Sequence, residues 1–292
     1  MTVPEVTVVV PVLDGAHLLT GCLDALAAQD DAPRYEVVVV DNGSTDGSAD
    51  VARRHPVVDR VLVEPVPGSY AARNAGAGTA RGRVLAFTDA DCRPHPGWLR
   101  AGVDALVAAD AAGGDVRAVL ATAPTVWERY DRAVYLDQAR AVRDERYAAT
   151  ANLFVHASAF AAAGPFDARL RSSGDLEWGQ RAAVRGLTLV HAPAAVVDHV
   201  ARRTARDTWR LHRRLGAGWR DLARDGCRPP AWREPALRVP LRWVAARVRD
   251  DGSPVALPAV AAVHATAMAA RWVGRLAGDG PTRARRSGKV PG

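Results

Sequence analysis

Four apolar runs, at residues 6–12, 37–40, 57–63 and 84–88, stop abruptly at polar turns, and helical stretches separate them. Runs this apolar lack the in–out alternation of a half-solvated sheet, so both of their faces are buried. Buried strands that alternate with helices form parallel sheets covered on both sides. Residues 17–28 carry Leu18, Leu19, Cys22, Leu23 and Leu26 at helical spacing. A second helix is expected from about Ser48, and a third, built of small residues, over 69–80. The expected class is therefore α/β, with a mostly parallel, Rossmann-like sheet flanked by helices. In such sheets ligands bind beyond the carboxyl ends of the strands. Asp14, Asp41 and the pair Asp89/Asp91 all stand at those ends, so three separate turns converge on one crevice.

The pair carries the most chemistry. In an extended strand residues i and i+2 point to the same side, so Asp89 and Asp91 can face one point. Two carboxylates that close repel unless something positive sits between them. A hard divalent cation, Mg²⁺ or Mn²⁺, answers that need, and such ions usually carry substrate phosphates as well. The plainer reading of Asp-x-Asp is a solvated turn.

After Asp91 the pattern changes. A turn at 94–97 leads to a helix over 98–109, a strand over 116–122 and an arginine-rich helix over 134–147. A short apolar segment (153–156), a turn (164–167), a helix (176–185) and short strands at 187–191 and 195–199 follow. Beyond about 205 the chain is rich in arginine and tryptophan, with breaks at Pro229, Pro230, Pro235 and Pro240. This divides it into a domain over 1–204 and a basic, helical extension over 205–292 whose last residues are expected to be disordered. Charge divides the same way. Residues 1–200 hold 19 Arg against 25 Asp and Glu, a net of −6; residues 201–292 hold 20 Arg and Lys against 7 acids, a net of +13. A basic segment with interleaved tryptophans suits an anionic membrane surface. No nucleic-acid recognition motif is present, so nucleic acid is not expected. The apolar run at 254–270 falls short of the ~20 residues a membrane span needs and contains Pro258 and His264. It is read as a helix packed on the protein or lying at the interface. Cys22, Cys92 and Cys227 have neither pairing nor metal-ligand spacing, and the chain opens almost directly on a strand. The expected location is the cytoplasm, peripheral at the inner face of the membrane.

Five segments in order resemble the family 2 glycosyltransferases of the GT-A fold. They are Val9-Val10-Pro11-Val12-Leu13-Asp14, Val40-Asp41-Asn42-Gly43-Ser44-Thr45-Asp46-Gly47-Ser48, Gly68-Ser69-Tyr70-Ala71-Ala72-Arg73-Asn74-Ala75-Gly76, Phe87-Thr88-Asp89-Ala90-Asp91 and Gly174-Asp175-Leu176-Glu177-Trp178-Gly179-Gln180-Arg181. The resemblance covers roughly residues 5–200. It departs in two places: Asp14 stands where Glu is common, and Gly174 stands where an acid often precedes the aspartate. It implies transfer of a sugar from a UDP- or GDP-linked donor to a glycan, lipid or small-molecule hydroxyl, with a divalent metal.

The resemblance also implies roles. Asp91 meets the metal, and Asp89 meets the ribose or a metal-bound water. Asp41 reads the base, Pro11 and Asp14 border the nucleoside, and Arg73 meets base or phosphate. Asp41 and Asp14 can alternatively be turn-formers, and Asn74 orders a loop. Asp175 is the candidate general base with Glu177 its competitor, since at i and i+2 on a helix only one can face the acceptor. A helix N-cap is the plain alternative for Asp175. His199 joins the metal or touches the diphosphate, or is a structural hydrogen-bonder. Arg202 and Arg203 belong to the diphosphate or, more simply, to the basic surface. Trp178 offers an acceptor-sugar platform or core packing. Two other functions compete with catalysis of this kind: a silent nucleotide-sugar-binding scaffold, and a nucleotidyltransferase.

Overall fold

The computed structural model describes residues 3–134, 136–224, 241–249 and 257–277. An eight-stranded sheet runs β3-β2-β1-β4-β7-β6-β8-β5. Its first half is the expected parallel arrangement: β1 (Val6–Val12) lies between β2 (Tyr35–Asp41) and β4 (Val84–Thr88), with β3 (Arg60–Val63) outside β2. The second half is mixed. β7 (Asn152–His156) runs antiparallel to β4 and to β6 (Ala111–Val119); β8 (Leu189–Val200) is parallel to β6; and β5 (Cys92–Pro94) pairs antiparallel with the end of β8.

Alternate residues of β1 divide between two cores, as the period of a strand requires. Val6, Val8, Val10 and Val12 face α1 (Ala16–Ala27), α2 (Ser48–Arg54) and α4 (Trp98–Ala105) through Leu19, Leu23, Ala52 and Trp98. Val9 faces the other way with Val38 and Val40, onto α3 (Ser69–Gly78), α7 (Ala157–Ala163) and α8 (Gly174–Val184). Gly76 of α3 allows that approach, because a Cβ there would stand 2.4 Å from Val9 Cγ1.

Three elements depart from the sequence reading. β6 starts at Ala111, well before the expected 116, because two glycines that weaken strand propensity are needed for packing. A Cβ on Gly114 would meet the Ala195 carbonyl oxygen at 2.2 Å, and one on Gly113 the Ala148 Cβ at 2.6 Å. The two short strands expected at 187–191 and 195–199 are one strand, β8, whose register against β6 shifts between Gly114 and Asp115. The single helix expected over 134–147 is replaced by α5 (Val126–Val134), the short α6 (Gln138–Arg140) and a π-helical turn, Ala141–Glu145.

The extension supplies α9 (Ala205–Arg224), α10 (Leu241–Arg249) and α11 (Leu257–Ala277). Val244, Val248, Val260, Val263 and Ala267 join Tyr130 and Ala133 of α5 in a third apolar cluster. The apolar run read at 254–270 is thus largely α11, packed on the protein. Among the described residues no helix is long and apolar enough to cross a membrane. The expected disordered end lies outside the described residues.

Candidate active site

A cavity of about 660 Å³ opens beyond the carboxyl ends of β1 and β4. Pro11, Asp14, Arg73, Asp89, Asp91, Asp175 and His199 all line it, so seven of the nine predicted site residues converge there. Asp41 and Glu177 do not.

Asp89 and Asp91 reach the cavity from a turn, not from an extended strand. The Cys92 N–H donates to the Asp89 carbonyl at 3.0 Å, closing the turn between β4 and β5. The two carboxylates have different partners. Asp89 is held by the Arg73 guanidinium from α3. Asp91 Oδ2 lies 3.2 Å from His199 Nε2, which β5–β8 pairing brings opposite Cys92. Burial opposes the charged form of Asp91, but His199 and the nearby Arg202 outweigh it and hold its carboxyl below the usual aspartate range.

Asp175 is the other centre. It lies in the first turn of α8, while Ser173 takes the cap position with a left-handed backbone (φ 63°), so Asp175 is not the N-cap. Its Oδ1 accepts from the Tyr70 hydroxyl at 3.2 Å and from the Leu176 N–H at 3.0 Å. Burial raises its pKa; the Leu176 N–H, Arg73 and Tyr70 pull the other way without cancelling the rise. A carboxylate with raised proton affinity, in reach of a ligand cavity, has the properties of a general base. Arg73 also stacks over the Tyr70 ring at 5.6 Å. Asp175, Tyr70, Arg73 and Asp89 therefore form one connected chain from α8 to the β4 turn. Sequence reasoning missed Tyr70, although its place three residues before Arg73 on α3 puts both on one helix face. Gly174 is explained by the same ring: a Cβ there would come within 2.7 Å of Tyr70 Cε2.

Several sequence expectations resolve differently. Glu177 is tied to Arg181 (Oε1–Nε 2.6 Å), on a different face from Asp175. Trp178 is 2% exposed, packs on Phe160 and Phe166, and donates its indole N–H to the Gly164 carbonyl, so it is core and not a platform. Asp41 is buried, and its carboxylate takes the Ser44 N–H at 3.3 Å. Asp14 is exposed, with a left-handed backbone (φ 49°), and accepts from the Thr45 N–H at 2.7 Å; it links the first turn to the second while still lining the cavity. Asn74 exchanges hydrogen bonds with the Phe166 backbone and orders that loop. Arg202 lines the cavity and is anchored to the buried Asp131 at 3.1 Å, whereas Arg203 is exposed. Trp219 and Trp243, from the extension, form the aromatic wall that Trp178 does not.

The model of the Glycosyl transferase family 2 matches residues 7–167. The chain belongs to that family. It is 36% identical over 208 residues to the glycosyltransferase AglE of Haloferax volcanii, covering 69% of this chain and 68% of that protein. It is also 36% identical over 116 residues to the succinoglycan biosynthesis protein ExoO of Rhizobium meliloti, covering 39% of this chain and 32% of that one. The fold is that of GT-A glycosyltransferases. A mannosyltransferase from Pyrobaculum calidifontis, solved with GDP-Man and Mn²⁺, superposes with a TM-score of 0.65 at 22% identity, over 95% of this chain and 88% of that one. TarS of S. aureus, solved with UDP, gives 0.54 at 17%, over 93% and 90%.

The donor set suits a divalent cation such as the Mn²⁺ of that mannosyltransferase complex. Asp91 and His199 offer an oxygen and a nitrogen at the cavity wall, and Asp89 is already engaged by Arg73. Among the described residues no group of three or more His, Cys, Asp or Glu could hold a metal.

Proposed function

We propose that this family 2 member is a metal-dependent hexosyltransferase that moves a sugar from a UDP- or GDP-linked donor to an acceptor hydroxyl with inversion, in cell-envelope glycan or glycolipid synthesis. The observation that carries the reading is the shared cavity: a carboxylate of raised proton affinity, Asp175, is connected through Tyr70 and Arg73 to the Asp89/Asp91 turn. The solved neighbours' complexes with GDP-Man, UDP and Mn²⁺ support the donor class and the metal.

Asp175 takes the proton of the acceptor hydroxyl as its oxygen bonds to the anomeric carbon. The bond from that carbon to the diphosphate breaks on the opposite side, so the configuration inverts in one step. Asp91 and His199 would hold Mg²⁺ or Mn²⁺, which neutralises the charge left on the nucleoside diphosphate. Asp89 fixes Arg73, which in turn faces the base or phosphates. Pro11 and Asp14 border the nucleoside, and Asp41 orders the turn beside it through the Ser44 N–H. Residues 1–204 form the catalytic domain. The extension, 205–292, meets the cytoplasmic face of an anionic membrane through exposed Trp209, Trp272 and Leu276 and the arginines of α9.

Calorimetric titration with UDP and GDP, with Mn²⁺ and then EDTA, tests this. One nucleotide should bind only with metal. Asp91→Ala should abolish that binding, and Asp175→Asn should keep it while donor turnover falls about 10³-fold, the middle of the range for a lost acid–base group. A folded protein that binds neither nucleotide would overturn the proposal.

A further inference from the structure

With Asp175 as the base of the proposed transferase, we infer that Gly218 of α9 is its positioning residue. By carrying no side chain, Gly218 lets the extension close directly on the backbone that leads into Asp175. α9 lies beyond residues 7–167, the part the family model matches.

The segment before Asp175 has little freedom. Leu170, Ser172 and Ser173 are buried. Ser173 has a left-handed backbone, which a residue with a side chain keeps only where its surroundings impose it. Its carbonyl accepts from the Glu177 N–H at 3.0 Å and so opens α8. The segment meets α3 at Gly174, which lies against the Tyr70 ring, and it meets α9 at Ser172. A Cβ on Gly218 would stand 2.8 Å from the Ser172 Cβ and 2.9 Å from the Ser172 carbonyl oxygen. Trp219 and Leu222, next along α9, share one apolar cluster with Tyr70, Leu170 and Leu176. Both α3 and α9 therefore grip the turn from which Asp175 projects.

α9 has no room to retreat. A separation of two residues turns a helix by about 200°, so Gly216 and Gly218 point to opposite faces. A Cβ on Gly216 would meet the Arg271 carbonyl oxygen at 2.1 Å, and one on Gly274 of α11 would meet the Arg213 carbonyl oxygen at 1.9 Å. The two helices thus touch backbone to backbone behind the face that meets Ser172. The Arg271 Nε also donates to His212 Nδ1 at 2.7 Å. α11 is backed in turn by Tyr130 of α5, through Val260, Val263 and Ala267. A methyl group at 218 would therefore push Ser172, by about 0.7 Å to reach an ordinary carbon contact of ~3.5 Å. Asp175, three residues on, would be drawn off the Tyr70 hydroxyl that it now meets at 3.2 Å.

The test uses the full chain with Mn²⁺, well below its unfolding midpoint. Hydrolysis of GDP-mannose and of UDP-N-acetylglucosamine is followed by the nucleoside diphosphate released, with water in place of the acceptor hydroxyl. In Gly218→Ala kcat should fall at least about tenfold, since a 1 Å misplacement costs up to about 10²-fold. Nucleotide affinity should be unchanged. Alanine is otherwise the better helix residue, so a loss reports the contact. Adding Ser172→Gly to Gly218→Ala removes the opposing Cβ and should recover part of the loss; adding Ser172→Ala keeps that Cβ and should recover none. A crystal structure of Gly218→Ala should show Asp175 withdrawn from Tyr70 with the Arg73–Asp89 pair intact. Where Gly218→Ala does not fold, Ser172→Gly alone loosens the same contact and should lower kcat several-fold with nucleotide still bound. An unchanged kcat, equal recovery with glycine and alanine at 172, or an unmoved Asp175 would overturn the inference. A wild type that binds no nucleotide sinks the transferase reading instead, and the position of Asp175 in the crystal then decides the role of Gly218 by itself.

Discussion

The Tyr70 hydroxyl, 3.2 Å from Asp175 Oδ1, stabilises the ionised form of the proposed base. Burial raises the Asp175 pKa, and this hydrogen bond is one of the contributions opposing the rise. The acid limb of the kcat/KM profile should therefore lie above the ordinary aspartate range. In Tyr70→Phe the opposition weakens, the folded pKa climbs, and the limb should move to still higher pH, with kcat reduced about tenfold at neutrality. A limb that stays in place, or moves to lower pH, would remove Tyr70 from the site. At this scale the polar singularities were legible: Asp89, Asp91, Asp175 and Arg73 stand out because charge at the end of an apolar run is unusual. Tyr70 was not, because a tyrosine on a small-residue helix looks like core. Gly174 was misread for a related reason. It looks like a missing acid, but the space a side chain would need is filled by the Tyr70 ring, which sits more than a hundred residues away in sequence.

Elements were legible wherever local pattern alone sets them. β1, β2 and β4 follow from unbroken apolar runs, whereas β6 was shortened in the reading by glycines that only the contacts with Ala195 and Ala148 explain. The α9–α11 pair is the strongest case. Its arginines and tryptophans were visible, but the glycines that let the helices touch had no visible partner. That contact makes a prediction about pH. His212 is 1% exposed and stays neutral in the fold down to about pH 2, while in the unfolded chain it titrates near 6.5. Below 6.5 the unfolded state binds the extra proton, so stability rises with pH across the window from about 2 to 6.5 and falls on acidification. His264, lowered by burial and by Arg271, acts with the same sign. One such proton contributes a slope of about 1.4 kcal/mol per pH unit. Urea unfolding between pH 5 and 6, inside that window, should show most of that slope, and His212→Phe should reduce it by most of one proton's worth. An unchanged slope in a folded variant would mean that His212 is not held neutral.

At the scale of the molecule, charge sets an orientation. The net of −6 over residues 1–200 is repelled by an anionic bilayer, and the net of +13 over 201–292 is attracted to it. The described part of that basic segment also exposes apolar bulk. Trp272 is 51% exposed, Leu276 76% and Val273 39% on α11; Trp209 is 36% exposed on α9, and Arg206 and Arg210 on the same helix are exposed too. Exposed indole and aliphatic side chains thus stand on the same pair of packed helices as the exposed arginines. That is the composition of a surface that sits in the headgroup layer. The chain should therefore sediment with phosphatidylcholine vesicles containing about one-third phosphatidylglycerol, and binding should fall steeply as salt is raised. Each arginine near such a surface contributes about 1 kcal/mol, so Arg206→Gln with Arg210→Gln should weaken partitioning about 25-fold. Trp272→Ala should weaken it at high salt as well as low, since the indole contribution is not screened. Equal binding to purely neutral vesicles would leave the arginines without a role. Absence of binding at low salt would assign both the charge and the exposed indoles to some other partner.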